Sequence, residues 1–302
     1  MRRRASVAAA VASAACFGTL AVLAKFAYEG GAQPLQLLVW RFTVATALLG
    51  AYAVLRRPGA LRVPRSDVAR YALLSLAGYG AASICFFFAL RVIPASIAAI
   101  LLYTYPAMVA LADPLVGGPP LGRSRLAGVV LAFGGCVLVV DPFSEVGGIG
   151  LLGVLLGLGS AAGYANFSVL SSRLLPGRSR LVLMTYMFGF TAVAASAAAL
   201  ASRTPLLPSD WDPSVWLVLA AILVLPTFAA IFLYLAAIRG LGVGQASLLS
   251  TFEPLFTIAF AAILLGDRFV WIQWLGASLV LGGVLVAEVS ARNAERPKLR
   301  QA

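Results

Sequence analysis

Histidine is absent from this 302-residue sequence, and Asp and Glu together number only 11. The first absence removes imidazole metal ligands, histidine general bases and histidine proton relays. Charged residues of both signs make up 11% of the chain, far below the roughly 25% usual in water-soluble domains. Cysteine is scarce as well: Cys16, Cys85 and Cys136 each lie inside an apolar run. Their odd number and spacing match no disulfide framework or metal site, and small apolar packing explains them. No G-x-x-x-x-G-K-[ST] phosphate loop occurs, so nothing in the chain would hold ATP to drive a pump. No cofactor and no metal is expected.

What is present is apolar: 61% of the residues. Runs long enough to cross about 30 Å of hydrocarbon recur at 6–28, 35–55, 68–90, 94–115, 126–140, 149–171, 181–200, 215–237, 245–265 and 271–289. Met1-Arg2-Arg3-Arg4 with Ser13-Ala14-Ala15-Cys16 has the look of a cleavable leader. The apolar run continues to Tyr28, however, beyond the roughly 7–15 residues of a secretory core, so it reads as an uncleaved first span. The expected fold class is therefore an all-α integral membrane protein of ten transmembrane helices, with the lipid bilayer as its solvent.

The net charge of +12 does not point to nucleic acid, because the basic residues lie between the apolar runs rather than on a soluble face. Binding of anionic lipid head groups would be a secondary effect of the same arginines. With the N-terminus inside and ten crossings, 18 Lys and Arg fall on inner segments, among them Arg2–Arg4, Arg56, Arg57 and Arg62. Only Arg91, Arg203 and Arg268 fall outside, while Lys25 and Arg41 stay in or near spans. That bias orients both termini to the cytoplasm.

The chain also repeats itself. Shifted by 148, Ala89-Leu90-Arg91 falls on Ala237-Ile238-Arg239, Pro106 on Pro254, Gly118 on Gly266, Gly128 on Gly276 and Gly134-Gly135 on Gly282-Gly283. Near the front, Ser13-Ala14-Ala15 meets Ser160-Ala161-Ala162 at a shift of 147. The units are 1–145 and 146–291, followed by a polar tail, 292–302, expected to be disordered. A unit of five spans is odd, so the second copy enters the membrane from the opposite side. Two inverted five-helix repeats are the architecture of secondary transporters, with a substrate site near the midplane between the repeats.

Several short motifs occur in order: Phe17-Gly18 and Lys25, then Pro34 and Arg41, then the proline of the fourth span. The second half carries Glu253-Pro254, Leu264-Leu265-Gly266-Asp267, Gly276 and Gly282-Gly283. On these the chain resembles the EamA-type family of the drug/metabolite transporter superfamily over nearly its whole length. The resemblance implies ten helices in two inverted repeats, export or uptake of small metabolites or drugs, and, with the Arg- and Ala-rich composition, a bacterial cell (inner) membrane. One departure stands out: after the fourth span the family usually has an acidic residue, and here the sequence reads Gly118-Pro119-Pro120.

Ten residues are candidates for the substrate pathway. Pro106 and Pro254, near the middles of spans four and nine, each remove a backbone donor and free a carbonyl one turn earlier. Such groups are tolerated in lipid only against protein or a water-filled cavity, so paired kinks lining a pathway are expected, with ordinary kinks as the bland alternative. Glu253 is an acidic residue near the centre of a span, which costs about 3 kcal/mol by insertion scales and should turn it inward. It would contact a cationic group or take up a proton; a hydrogen-bonded structural carboxylate is the alternative. Ser250 and Thr257 share its helix face. Tyr105 occupies the position that Glu253 holds in the other repeat, and Tyr103 lies two residues before it. Lys25 and Arg41 can snorkel outward, pair (Lys25 with Glu29) or bind an anionic group. Trp40 is an amphipathic ring within a span, as are Tyr164, Tyr186 and Tyr234.

The small-molecule reading competes with others. A sugar-phosphate or nucleotide-sugar exchanger needs a basic midplane pocket, and spans four and nine hold no Lys or Arg. A membrane-embedded enzyme needs clustered catalytic groups, which one central carboxylate does not supply. A structural or receptor-like membrane protein would have no use for inverted symmetry. Coupling to protons through Glu253, exchange and facilitated diffusion are the alternatives for driving transport.

Overall fold

The computed structural model of the protein describes residues 3–116, 121–140, 150–174 and 179–299, which contain helices and no β-strand. The first half holds α1 (Arg3–Glu29), α2 (Pro34–Arg56), α3 (Arg65–Leu74), α4 (Gly80–Val92), α5 (Ala95–Leu102), α6 (Tyr105–Ala112) and α7 (Arg123–Val140). The second holds α8 (Leu151–Leu174), α9 (Arg180–Ala201), α10 (Ser214–Ile222), α11 (Ala230–Ser250), α12 (Glu253–Leu264) and α13 (Trp271–Leu299). Eight stretches are long and apolar enough to cross a membrane, and 253–264 and 271–287 are shorter apolar helices. Helix is what lipid demands, since each backbone group must find its partner within its own segment.

Packing follows the same solvent. Small residues such as Ala10, Ala14, Ala24 and Ala27 are fully buried, while Leu55, Leu115, Leu217 and Ile263 stand outward. Between helices in lipid, close backbone approach supplies the attraction that water would otherwise drive. The α7–α13 contact is the tightest example. Gly128 faces Gly283 and Gly135 faces Gly276, and a Cβ at any of the four would come within 2.5 or 2.6 Å of the opposite carbonyl oxygen. Each glycine thus faces the repeat counterpart of the other glycine on its own helix, and the two helices run antiparallel.

Two helices carry a wider turn. A π-helical segment at Ser75–Tyr79 joins α3 to α4, and another at Leu223–Ala229 joins α10 to α11. Their first residues, 75 and 223, are 148 apart, the offset of the sequence repeat. In the second, Pro226 has no N–H, and the neighbouring Thr227 hydroxyl donates to the Ile222 carbonyl at 2.8 Å. The first has no proline; there Gly78 admits Phe167 of α8, which would lie 2.9 Å from an added Cβ.

Two expectations need correction. The run 245–265 is not one helix: α11 continues to Ser250 without the interruption that Pro94 makes between α4 and α5, because Gly242 stands at the matching position and keeps its N–H. The helix is sharply bent there, so the chain still reverses along α1. Ala230 lies at Ser13 and Gly240 at Ser6, descending α1, whereas Glu253 and Phe256 lie back up at Gly18. The tail, expected to be disordered, begins as helix, since α13 runs to Leu299. Ala, Arg, Glu and Lys there are good helix formers.

α12 ends in a turn at Gly266, whose φ of 71° is the left-handed conformation glycine adopts without strain. The Asp267 N–H returns to the Ala261 carbonyl, and the Asp267 carboxylate accepts from the Ser96 N–H at 3.2 Å and the Ser96 hydroxyl at 2.7 Å. A second-half side chain thereby caps a first-half helix, α5. The counterpart of Asp267 would be Pro119; Gly118-Pro119-Pro120 lie outside the described residues, as do Asp141 and Glu145.

Candidate functional site

The two prolines act differently from mid-helix kinks. A proline removes the hydrogen bond to residue i−4 and crowds its carbonyl. Counting back from Pro106 gives Leu102, where α5 ends; counting back from Pro254 gives Ser250, where α11 ends. The chain then restarts as α6 and α12, with each proline in the first turn, where its missing N–H costs nothing. Each break is therefore complete, and the two are repeat counterparts.

The breaks meet. Tyr103, at the first break, places its hydroxyl 3.0 Å from the Ser250 carbonyl oxygen and 2.7 Å from Oε2 of Glu253 at the second. The carbonyl that Pro254 frees is thus satisfied from the other half of the chain. Gly18 of α1 backs the same joint: an added Cβ would lie 3.1 Å from the Glu253 carbonyl oxygen.

Around this joint lies a cavity of about 140 Å³. Glu253, Tyr103, Tyr105 and Thr257 line it from the breaks, Tyr164 and Ser160 from α8, and Tyr79 and Pro226 from the two π-turns. Arg41 of α2 lines it as well. Glu253 is half-buried, enclosed by protein yet facing the cavity. The rings form a continuous wall: Tyr103 meets Tyr105 edge-on at 6.0 Å, Tyr105 meets Tyr164 at 4.7 Å, and Phe167 links Tyr164 to Tyr79.

Of the readings open to Arg41 from sequence, outward snorkelling does not hold. It is 2% exposed, its guanidinium stacks over Phe42 and Phe87, and its Nε donates to the Thr227 hydroxyl at 3.2 Å. That hydroxyl already caps the carbonyl freed by the second π-turn, so Pro226, Thr227 and Arg41 form one chain of causes. Tyr79 lies beside the guanidinium. Arg41 and Glu253 form no ion pair with each other. A buried charge without a countercharge is costly, which makes an arginine facing a cavity a natural acceptor site for an anionic group.

Of the ten candidates from sequence, the structure brings Glu253, Tyr103, Tyr105, Thr257 and Arg41 to the cavity. Ser250 contributes its carbonyl, and Pro106 and Pro254 set the breaks without lining it. Lys25 is half-buried two turns along α1 from Gly18, under the electrostatic influence of Asp267 and Glu29 and without a contact pair to either. Trp40 lies apart: its indole N–H donates to the Leu206 carbonyl at 3.0 Å and its ring packs edge-on against Trp216, tying loop 202–213 to α2. Of the other polar span residues, Tyr186 donates to the Leu61 carbonyl and Tyr164 reaches the cavity. Tyr79, Ser160, Phe87 and Pro226 were not singled out from sequence. Pro226 was legible as a mid-span proline; Tyr79 sits between two glycines, which marks a close approach but not its purpose.

The fold is shared with a solved crystal structure at a TM-score of 0.65 and 21% identity, covering 96% of this chain and 98% of that one. A protein of Bacillus subtilis (strain 168) named "Uncharacterized transporter YcbK" is 27% identical over 290 residues, 89% of this chain and 86% of that protein. An "Uncharacterized transporter" of Archaeoglobus fulgidus is 28% identical over 286 residues, 93% of this chain and 95% of its own. The family model matches twice, at residues 4–141 and 151–288, and on that double match the chain, a multi-pass membrane protein, belongs to the EamA-like transporter family.

Proposed function

We propose that the protein is a secondary transporter of small organic solutes, working by alternating access about a site near the midplane between two inverted five-helix repeats, ten membrane helices in all. It resides in the cell membrane with both termini in the cytoplasm, and its substrate-pathway residues are Arg41, Tyr103, Tyr105, Glu253 and Thr257, with Pro106, Pro254 and Ser250 forming the joint. The single observation that carries the reading is the cavity at which the broken helices of both halves meet, lined by one guanidinium and one carboxylate within an aromatic wall. The reciprocal antiparallel glycines of α7 and α13 support the inverted repeat.

The cavity also bounds the cargo. At about 140 Å³ it holds a few waters, at roughly 30 Å³ each, or the polar end of a solute, and drug-sized sites are larger. Arg41 suits an anionic group such as a carboxylate, Glu253 a hydrogen-bond donor or cation, and the rings an apolar body. The second reading, a sugar-phosphate or nucleotide-sugar exchanger, gains a basic group from Arg41, which spans four and nine lack. It is weakened by Glu253 in its ionised form, since a carboxylate in the same small cavity opposes a doubly charged phosphate.

The test compares small metabolites inside and outside cells expressing wild type, Arg41→Gln or Glu253→Gln at matched protein levels. A solute that shifts with wild type and not with Arg41→Gln supports the assignment. No shift with wild type in any growth medium removes the transport reading in favour of a structural or receptor-like protein. Phosphorylated solutes shifting alone favours the exchanger.

A further inference from the structure

The joint between the breaks contains more acceptors than hydrogens. Tyr103 has one hydroxyl hydrogen and two close oxygen neighbours, the Ser250 carbonyl at 3.0 Å and Glu253 Oε2 at 2.7 Å. A carbonyl oxygen only accepts, and an ionised carboxylate only accepts. With Glu253 ionised, the single hydrogen serves one of them, and an acceptor at a helix end is left short, which is unfavourable. With Glu253 protonated, both short contacts are satisfied at once: the carboxylic acid donates to the Tyr103 oxygen, and Tyr103 donates to the carbonyl that Pro254 freed.

We propose that Glu253, Tyr103 and the Ser250 carbonyl form a proton-operated latch between the two halves of the chain, closed when Glu253 carries a proton. The proton balance is simple. On closing, one proton from the cavity binds the carboxylate, and the Tyr103 hydrogen turns from the carboxylate to the carbonyl. On opening, the carboxyl proton leaves into the cavity, the Tyr103 hydrogen returns to the carboxylate, and the helix end at Ser250 loses its cross-repeat donor. The groups around the carboxyl are compatible with this. From the first half, Tyr103 and Tyr105 face it; α8 supplies Tyr164, with Tyr234 of α11 behind it. α1 contributes Phe17, Gly18, Leu20 and Ala21, with Lys25 two turns away, and α2 contributes Arg41 across the cavity without an ion pair. The latch has no copy at the matching place, because Tyr103 corresponds to Thr251 and Glu253 to Tyr105. It deepens the proposed transport role by naming the proton as the ligand of that site.

Infrared spectra of the purified full chain in lipid vesicles, recorded from acid to alkaline pH, test it without any solute. The C=O stretch of a protonated carboxylic acid is expected near neutral pH, lost in Glu253→Gln, and moved to higher frequency in Tyr103→Phe, where the acid loses its acceptor. Glu253→Gln should stay folded, since its side-chain amide also donates to Tyr103, and Tyr103→Phe keeps the ring packing. Absence of the band in wild type, or a band indifferent to Tyr103→Phe, overturns the latch. Transport is read separately by solute shifts in cells, so a latch without transport and transport without a latch are distinct results.

Discussion

The two halves of this chain share one plan and carry different chemistry. Both have a π-turn, 148 residues apart, and both break a later helix four residues before a proline. Both π-turns are tied to the second helix of the opposite half. In the first, the Ser75 hydroxyl lies 2.9 Å from the Thr191 hydroxyl and donates to the Met187 carbonyl. In the second, Thr227 accepts from Arg41. One tie is neutral and the other carries a buried charge. At the breaks the first half offers phenols and the second a carboxylate. Symmetry builds the cavity, and departures from symmetry give it charge.

The largest test of this comparison is packing. Gly135→Leu should abolish folded protein, because carbonyl oxygen rather than a movable side chain occupies the Cβ position, and overpacking even softer sites costs about 1–3 kcal/mol. Gly134→Leu and Gly282→Leu, whose Cβ positions have nothing within 4 Å, should leave the unfolding temperature nearly unchanged. Equal loss at both pairs would break the reciprocal-glycine account.

The next effect is chemical. Arg41→Gln should weaken transport of a cargo recognised by its anionic group at least roughly tenfold, since a hydrogen bond to a charged group contributes about 1.5–3 kcal/mol. Arg41→Lys should recover part of it in KM, lacking the fork that holds Thr227 and cargo together. Thr191→Val, which removes the neutral tie, should lower stability with little change in KM. If both ties changed KM alike, charge would not distinguish the halves.

The π-turns give a third, smaller contrast. Gly78→Ala should destabilise by about 1–2 kcal/mol, as the new Cβ meets the Phe167 backbone and Cβ. Pro226→Ala restores an N–H, so it should keep the fold and shift transport through the Thr227–Arg41 chain. The smallest effect is at the asymmetric cap. Ser96→Ala and Asp267→Asn should each cost about 1 kcal/mol in unfolding, with the double variant little worse than either alone.

Much of the membrane plan was legible without coordinates. Spacing and apolar length indicated the helices, and the 148-residue shift marked Pro106, Pro254, Tyr105 and Glu253 as counterparts. Arg41 was legible as a pathway candidate but its orientation was not, because snorkelling is a rule about distance from the membrane surface, while its contact with Thr227 depends on a helix 186 residues away. Pro226 is visible as a mid-span proline and Tyr79 by its flanking glycines, but neither points to a site, because a π-turn leaves no periodicity of its own. Trp40 carried the composition of a pathway residue and became a loop anchor, since an amphipathic ring serves either end.

The sequence by itself determined that this chain lives in lipid, that it is built twice, and which two prolines disturb its spans, because hydropathy, repetition and the missing proline N–H are local properties. Only the tertiary structure decided that the broken ends of the two halves face one another, that Tyr103 satisfies the carbonyl freed by Pro254, and that Arg41 and Glu253 share a cavity. Those pairings join residues about 150 or more apart in the chain, and which carbonyl meets which hydroxyl is fixed by helix packing that no local pattern records.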